Sequence, residues 1–303
     1  MDLAIHLILY ASILVFVLAV VARFLRIARY PINLRWEVYP VPTEGARARH
    51  GGSRLEDVDW WEHERKPDKL MEMRYMIPEM LFIKALFEHN RKLWYRSFPF
   101  HFGLYLLAAF AALLAAAALT SLAGWEVPAS VFTVVTIVGA TGALLALAGA
   151  LGLLWMRATD ADLRPYTNFS HFFNLIFFVV SLTLMLLAWR EAGWQVSAFA
   201  AHFESLFGAK LEQATGGPMM RAALVALALL LAWIPLTHMS HFFVKWFTWH
   251  KIRWDDEPNV RGGRIEKLIQ KALESPVSWS APHIGADGKK SWGELAVEEM
   301  KSE

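Results

Sequence analysis

The chain has 303 residues, 56% of them apolar, with 14 Trp, no Cys and a formal net charge of +2. The apolar share exceeds the roughly 45–50% of soluble domains, and five uncharged windows each reach the roughly 20 residues needed to cross about 30 Å of hydrocarbon. A soluble globule is excluded, as are structural disulfides and any iron–sulfur cluster or thiolate-ligated zinc held by this chain alone.

The first window, Leu3 to Ala22, follows Asp2 with no Lys or Arg before it, and it is too long for the apolar core of a signal peptide. It reads as a transmembrane helix over about 3–23. The remaining windows predict helices over about 98–122, 128–156, 168–189 and 219–244. Lipid demands that backbone groups be satisfied internally, and these runs are far too long for barrel strands. The fold class is therefore all-α integral membrane, with five transmembrane helices and interfacial helices between them.

Fifteen Lys and Arg fall in 23–96 and ten from Lys245 onward, with few in the other connections. Basic connections mark the cytoplasmic side. The two richest segments share a side only if the spans are odd in number, so the N-terminus is expected outside and the tail inside. Loop 24–97 carries an acidic, aromatic patch (Glu56, Asp57, Asp59, Trp60, Trp61, Glu62). It also carries an amphipathic run from Met76 to Phe87 suited to the interface. The stretch 192–213, with Trp194, Phe199, Phe203 and Phe207, reads as an outer interfacial helix. In the tail, Ile265, Leu268, Ile269 and Leu273 recur at helical spacing. Residues 1–254 are taken as the membrane domain and 255–303 as a cytoplasmic tail. Both inner segments are either packed decoration or docking surfaces for a soluble partner.

Five of the 11 His lie in or beside spans: His6, His101, His171, His238 and His241. Ionisable groups in a bilayer are costly and point to function. With the expected orientation and a rise of about 1.5 Å per residue, His101, His171, His238 and His241 share one layer near the inner face. His238 and His241 would sit three apart on one helix face, about 60° from each other. Neutral imidazoles on facing helices suit a bis-histidine haem b, one or two in number, with apolar walls around the ring. Phe98, Phe100, Phe102, Tyr105, Phe172, Phe173, Phe242 and Phe243 supply such walls. Arg96, Lys92, Arg164 and Lys245 are placed for the propionates. His6 alone lies near the outer face. Quinone chemistry needs a proton acceptor, for which His6, Asp160, Asp162 and Tyr166 are the candidates. A haem-free transporter or simple anchor is the alternative. Transporters place polar groups and helix breaks near the midplane, whereas these spans are Leu/Ala/Val-rich there.

Five spans, a His early in the second and a His late in the fifth resemble the gamma-type cytochrome b subunits of respiratory nitrate reductase. The stretch Thr237-His-Met-Ser-His-Phe-Phe-Val-Lys-Trp-Phe-Thr-Trp-His-Lys-Ile-Arg-Trp-Asp-Asp resembles, more closely, the related cytochromes that accompany heterodisulfide-reductase-like iron–sulfur proteins. Phe98-Pro-Phe-His-Phe-Gly-Leu-Tyr and Asn168-Phe-Ser-His-Phe-Phe-Asn are similar as well. The resemblance covers roughly 1–254. It implies an inner haem held by His101 with His241 or His238, and menaquinone or menaquinol as substrate. It further implies a cytoplasmic iron–sulfur partner, a prokaryotic cytoplasmic membrane location, and no nucleic acid. The nitrate reductase subunits also hold an outer haem; the corresponding regions here read Ala111-Ala112-Leu113 and Met219-Met220, without His. His171 with the unused member of His238 and His241 is then the remaining pair for a second haem. Under this resemblance the chain is an electron-transfer subunit of a quinol oxidoreductase.

Overall fold

The computed structural model describes residues 2–30, 58, 59, 62, 67–211, 216–254 and 259–298. Most of the acidic, aromatic patch, together with His50 and His63, lies outside the described residues. Eleven helices are named here in chain order: α1 Asp2–Ala28, α2 Lys69–Leu81, α3 Lys84–His89, α4 Arg91–Leu122, α5 Ala129–Thr159, α6 Phe169–Glu191, α7 Ser197–Phe207, α8 Pro218–Trp233, α9 His241–Thr248, α10 Arg264–Leu273 and α11 Trp292–Val297. Five helical segments are long and apolar enough to cross a membrane: α1, α4, α5, α6, and α8 with the short turn that follows it, Pro218–Leu236. The protein is a multi-pass, all-α membrane protein.

The residues group into two units, one comprising Met1–Val21 with Pro78–Ser240 and the other Ala22–Ile77 with His241–Glu303. In the first, α4 packs along α5, α5 along α6, α6 along α8, and α7 against α4. Lipid provides no hydrophobic drive between helices, so close backbone approach and van der Waals contact must hold them. The sequence supplies this through small residues. A Cβ added at Gly103 would stand 2.3 Å from the Ala146 backbone nitrogen, and one at Gly149 would stand 2.4 Å from that of Phe100. Ala143, Ala146 and Ala150 are completely buried on the same face of α5.

Two apolar cores fill this unit. One joins Phe110 and Leu114 of α4, Val135 of α5, Met185 and Trp189 of α6, Phe199 of α7, and Met220 of α8. The other joins Phe100, Leu153, Leu175, Phe178 and Leu230. α7 is the expected interfacial helix of 192–213, shortened at both ends. The turn before it uses left-handed backbone at Gly193 and Trp194 (φ 63° and 62°).

The fifth helix departs from expectation. A continuous run to residue 244 was anticipated, but α8 stops at Trp233. Two 3-10 turns follow, Ile234–Leu236 and His238–Ser240, before α9 begins at His241. Pro235 explains the break, since it has no N–H to bond the carbonyl four residues back and its ring crowds that carbonyl. His238 and His241 therefore belong to different elements and do not share one α-helical face. The amphipathic run from Met76 is also divided. α2 ends at Leu81, and Ile83 adopts left-handed backbone (φ 51°) before α3.

In the second unit, buried Glu72 of α2 lies with a carboxylate oxygen 2.7 Å from His250 Nδ1. His250 sits in a π-helical segment, Trp249–Trp254, and its ring stacks on Trp246 (centroids 5.7 Å). The tail forms α10, a two-stranded antiparallel hairpin pairing Ser280 with Asp287 and Ala281 with Ala286, and α11. α11 opens with a capping box between Ser291 and Glu294.

Candidate functional site

His101 stands on α4 beyond Pro99, where α4 turns its Phe100 and Gly103 toward α5. Its Nδ1 donates to the Ser97 carbonyl at 2.7 Å, with the Ser97 hydroxyl 3.3 Å away. A proton fixed on Nδ1 makes Nε2 the lone-pair nitrogen. Such a bond orients the ring, raises its basicity and so prepares a histidine to bind a metal. Phe100 meets the His101 ring edge-on at 5.3 Å and meets Phe178 edge-on at 5.0 Å. Phe100 of α4 and Phe178 of α6 thus form a chain of edge-on rings beside this imidazole.

His171 opens α6. Its Nδ1 accepts the Asn168 backbone N–H at 3.1 Å, closing a capping box with the Asn168 side chain. Its ring lies against that of His238, with centroids 4.9 Å apart and planes at 57°. The His171–His238 pair is thus a direct ring contact in this geometry. His238 is exposed in its 3-10 turn, and His241, at the start of α9, is exposed too.

One turn further along α6, buried Asn174 accepts from the Trp233 indole N–H at 2.9 Å. Among the described residues its Nδ2 has no hydrogen-bond partner. Ser97, Asn174 and Trp233 escaped the sequence reading. Ser97 was findable as the residue four before His101, and Asn174 as the one amide within α6.

The cationic residues are dispersed. Arg96 lays its stem over Gly152 and donates to the Lys92 carbonyl at 2.6 Å. Lys92 forms an ion pair with Asp160. Arg157, not anticipated, donates to the Thr167 hydroxyl at 3.1 Å at the same end of the bundle. Arg164 is exposed, and Lys245 is half-buried on α9 in the other unit.

The suggested proton acceptors are placed as follows. The Asp160 side chain is 5% exposed and ends α5. The Lys92 ammonium, followed by the Asp162 and Leu163 amides, holds its carboxyl below the ordinary aspartate range against the opposing effect of burial. Asp162 and Tyr166 are exposed. His6 is 1% exposed. Its Nδ1 lies 3.0 Å from the Asp2 carbonyl and its Nε2 2.6 Å from the Ser205 hydroxyl, which also reaches the Lys210 carbonyl at 3.1 Å. Tyr10 donates to the Leu206 carbonyl, so both side chains tie α1 to the end of α7. Half-buried His202 of α7 is held below the usual imidazole range by burial, and secondarily by His6.

The model of the nitrate reductase gamma subunit family matches residues 85–254, more than half the chain. The chain belongs to the nitrate reductase gamma subunit family. Its members are haem b-containing membrane subunits of quinol oxidoreductases that work with catalytic subunits. No curated protein and no solved structure matches the chain. The family segment runs from α3 to the π-helical Trp249–Trp254 and contains His101, His171, His238 and His241. The prepared Nε2 of His101 fits a family whose members carry haem b within the bundle.

Proposed function

We propose that this nitrate reductase gamma family member is the haem b subunit of a respiratory complex in a prokaryotic cytoplasmic membrane. It passes electrons between menaquinone and a cytoplasmic iron–sulfur subunit of the heterodisulfide-reductase-like kind. The observation that carries the reading is the Ser97 carbonyl fixing the His101 proton on Nδ1. His101 Nε2 is one iron ligand, with His238 of the same unit as its partner. His171 acts as the cap of α6 and as a neighbour of His238, with Arg96 and Arg157 at the basic end to face the propionates. Bound there, a bis-imidazole haem b supplies one-electron transfer.

A single haem accounts best for the packing. Around Ala111-Ala112-Leu113 and Met219-Met220, the regions the resemblance implies for an outer haem, no His is present, and Phe110, Met185, Trp189, Phe199 and Met220 are each 5% exposed or less. A chain without cysteine offers no thiolate, so the electron leaves for clusters on another subunit. The basic loop and tail orient that subunit's side as cytoplasmic.

The test is a pyridine haemochrome assay on the purified chain, followed by mixing with a reduced naphthoquinone. One b haem per chain, reduced by the quinol, is expected. Two haems per chain would overturn the single-site reading, and a folded chain with none would favour the tether or transporter.

A further inference from the structure

α6 and α8 run antiparallel, as the pairing of His171 with His238, Asn174 with Trp233 and Ser181 with Ala226 shows. Two polar layers result. The first holds the His171 and His238 rings; the second, about 4.5 Å deeper by helical rise, holds Asn174 and Trp233. The Trp233 N–H can only donate, so it fixes the Asn174 oxygen toward itself and the NH2 group toward the interior. Asn174 is 4% exposed, and among the described residues that NH2 group meets no acceptor. A buried donor in a membrane interior calls for an oxygen to receive it.

The position of Asn174 restricts what that oxygen is. Lys92, Arg157 and Arg164 all lie at the end of the bundle where α5 stops and α6 begins. Asn174 lies beyond the imidazole layer from them, one turn deeper than His171, where a carboxylate would be stripped of water. An uncharged carbonyl tolerates that place. Trp233 and Phe173, whose rings meet at 5.4 Å, are 36% and 40% exposed beside the α6–α8 contact, and Ile176 is 50% exposed. They provide an apolar entrance of the kind a membrane-dissolved ring would use.

We propose that Asn174 Nδ2 donates to a carbonyl oxygen of a quinone headgroup seated between α6 and α8, with Trp233 and Phe173 at its entrance. The inference rests on the quinone part of the proposed function and adds the site. His171, whose Nδ1 is engaged by the Asn168 amide, presents its protonated Nε2 as the second donor on the same helix.

The experiment uses the full chain, purified in detergent with its haem, and equilibrium dialysis against menadione. Wild type is expected to bind saturably, and Asn174→Leu, close in volume, to bind about tenfold more weakly, the effect of one neutral hydrogen bond lost in a dry site. Asn174→Ala serves if the Leu variant fails to fold. The haem-to-protein ratio is read in the same samples and should match wild type. Equal menadione affinity in the variants, or no saturable binding to a haem-loaded wild type, overturns the site while leaving the haem assignment standing. Loss of haem in the variants also overturns it, because the amide would then face the porphyrin.

Discussion

Gly103→Ala tests the helix contact on which the His101 position depends. The new Cβ would stand 2.3 Å from Ala146 N, 2.7 Å from Gly142 O and 2.8 Å from Ala146 Cα. All three are backbone atoms within α5, so no side chain can swing aside. Restoring ordinary contact means parting α4 from α5 by about 1 Å, which on a close-packed interface costs about 3 kcal/mol, the upper part of the range for overpacked cores. Alanine's better helix propensity returns about 1 kcal/mol, leaving a net loss of about 2 kcal/mol. Gly152→Ala is the matched control, since its Cβ would meet only the flexible Arg96 stem at 3.2 Å; it should be neutral or slightly stabilising. The assay is unfolding of the detergent-solubilised chain followed by tryptophan fluorescence, with haem retention read alongside. Gly103→Ala should unfold earlier and hold haem less well, because His101 is two residues from the displaced contact. Equal stability of the two variants would refute the backbone-to-backbone packing of α4 on α5.

The other predictions concern the ends of the bundle. Asp160 has a depressed carboxyl, so its contribution to stability is present above the ordinary aspartate value near 3.9 and is lost as pH falls through the lower folded value. Asp160→Asn should flatten the pH dependence of the melting temperature below about pH 4; an unchanged slope would show that the Lys92 pair contributes nothing. His202 is lowered in the folded state, so it costs stability as pH drops below the unfolded value near 6.5. His202→Gln should reduce the fall in melting temperature between about pH 7 and pH 5, and a fall equal to wild type would contradict its burial. His6→Ala should destabilise by about 2 kcal/mol through a cavity and the lost tie to Ser205. The haem spectrum should not change, and a shifted band would return His6 to the electron-transfer path.

Much of this architecture is legible in the residue order because lipid imposes one strong rule, a long uncharged helix, and α1, α4, α5 and α6 obey it. The fifth helix is less legible. Hydropathy runs on past Pro235, so the apolar count carries the span toward residue 244 while the missing N–H ends α8 at Trp233. The site divides in the same way. Histidine depth follows from helical rise, and His171 and His238 do meet. What each ring does depends on the hydrogen bond at its other nitrogen, which spacing does not reveal. Ser97 readies His101, Asn168 occupies His171, and Asp2 with Ser205 occupies His6. Asp160 reads as a spare acid until the fold brings Lys92 from 68 residues away.

In the proposed function, His101 carries an iron ligand nitrogen. A reduced-minus-oxidised optical spectrum of the purified chain, taken for wild type and for His101→Ala at equal folded protein, tests it directly. A low-spin b-type band is expected in wild type and abolished in the variant. The same band in both would contradict it.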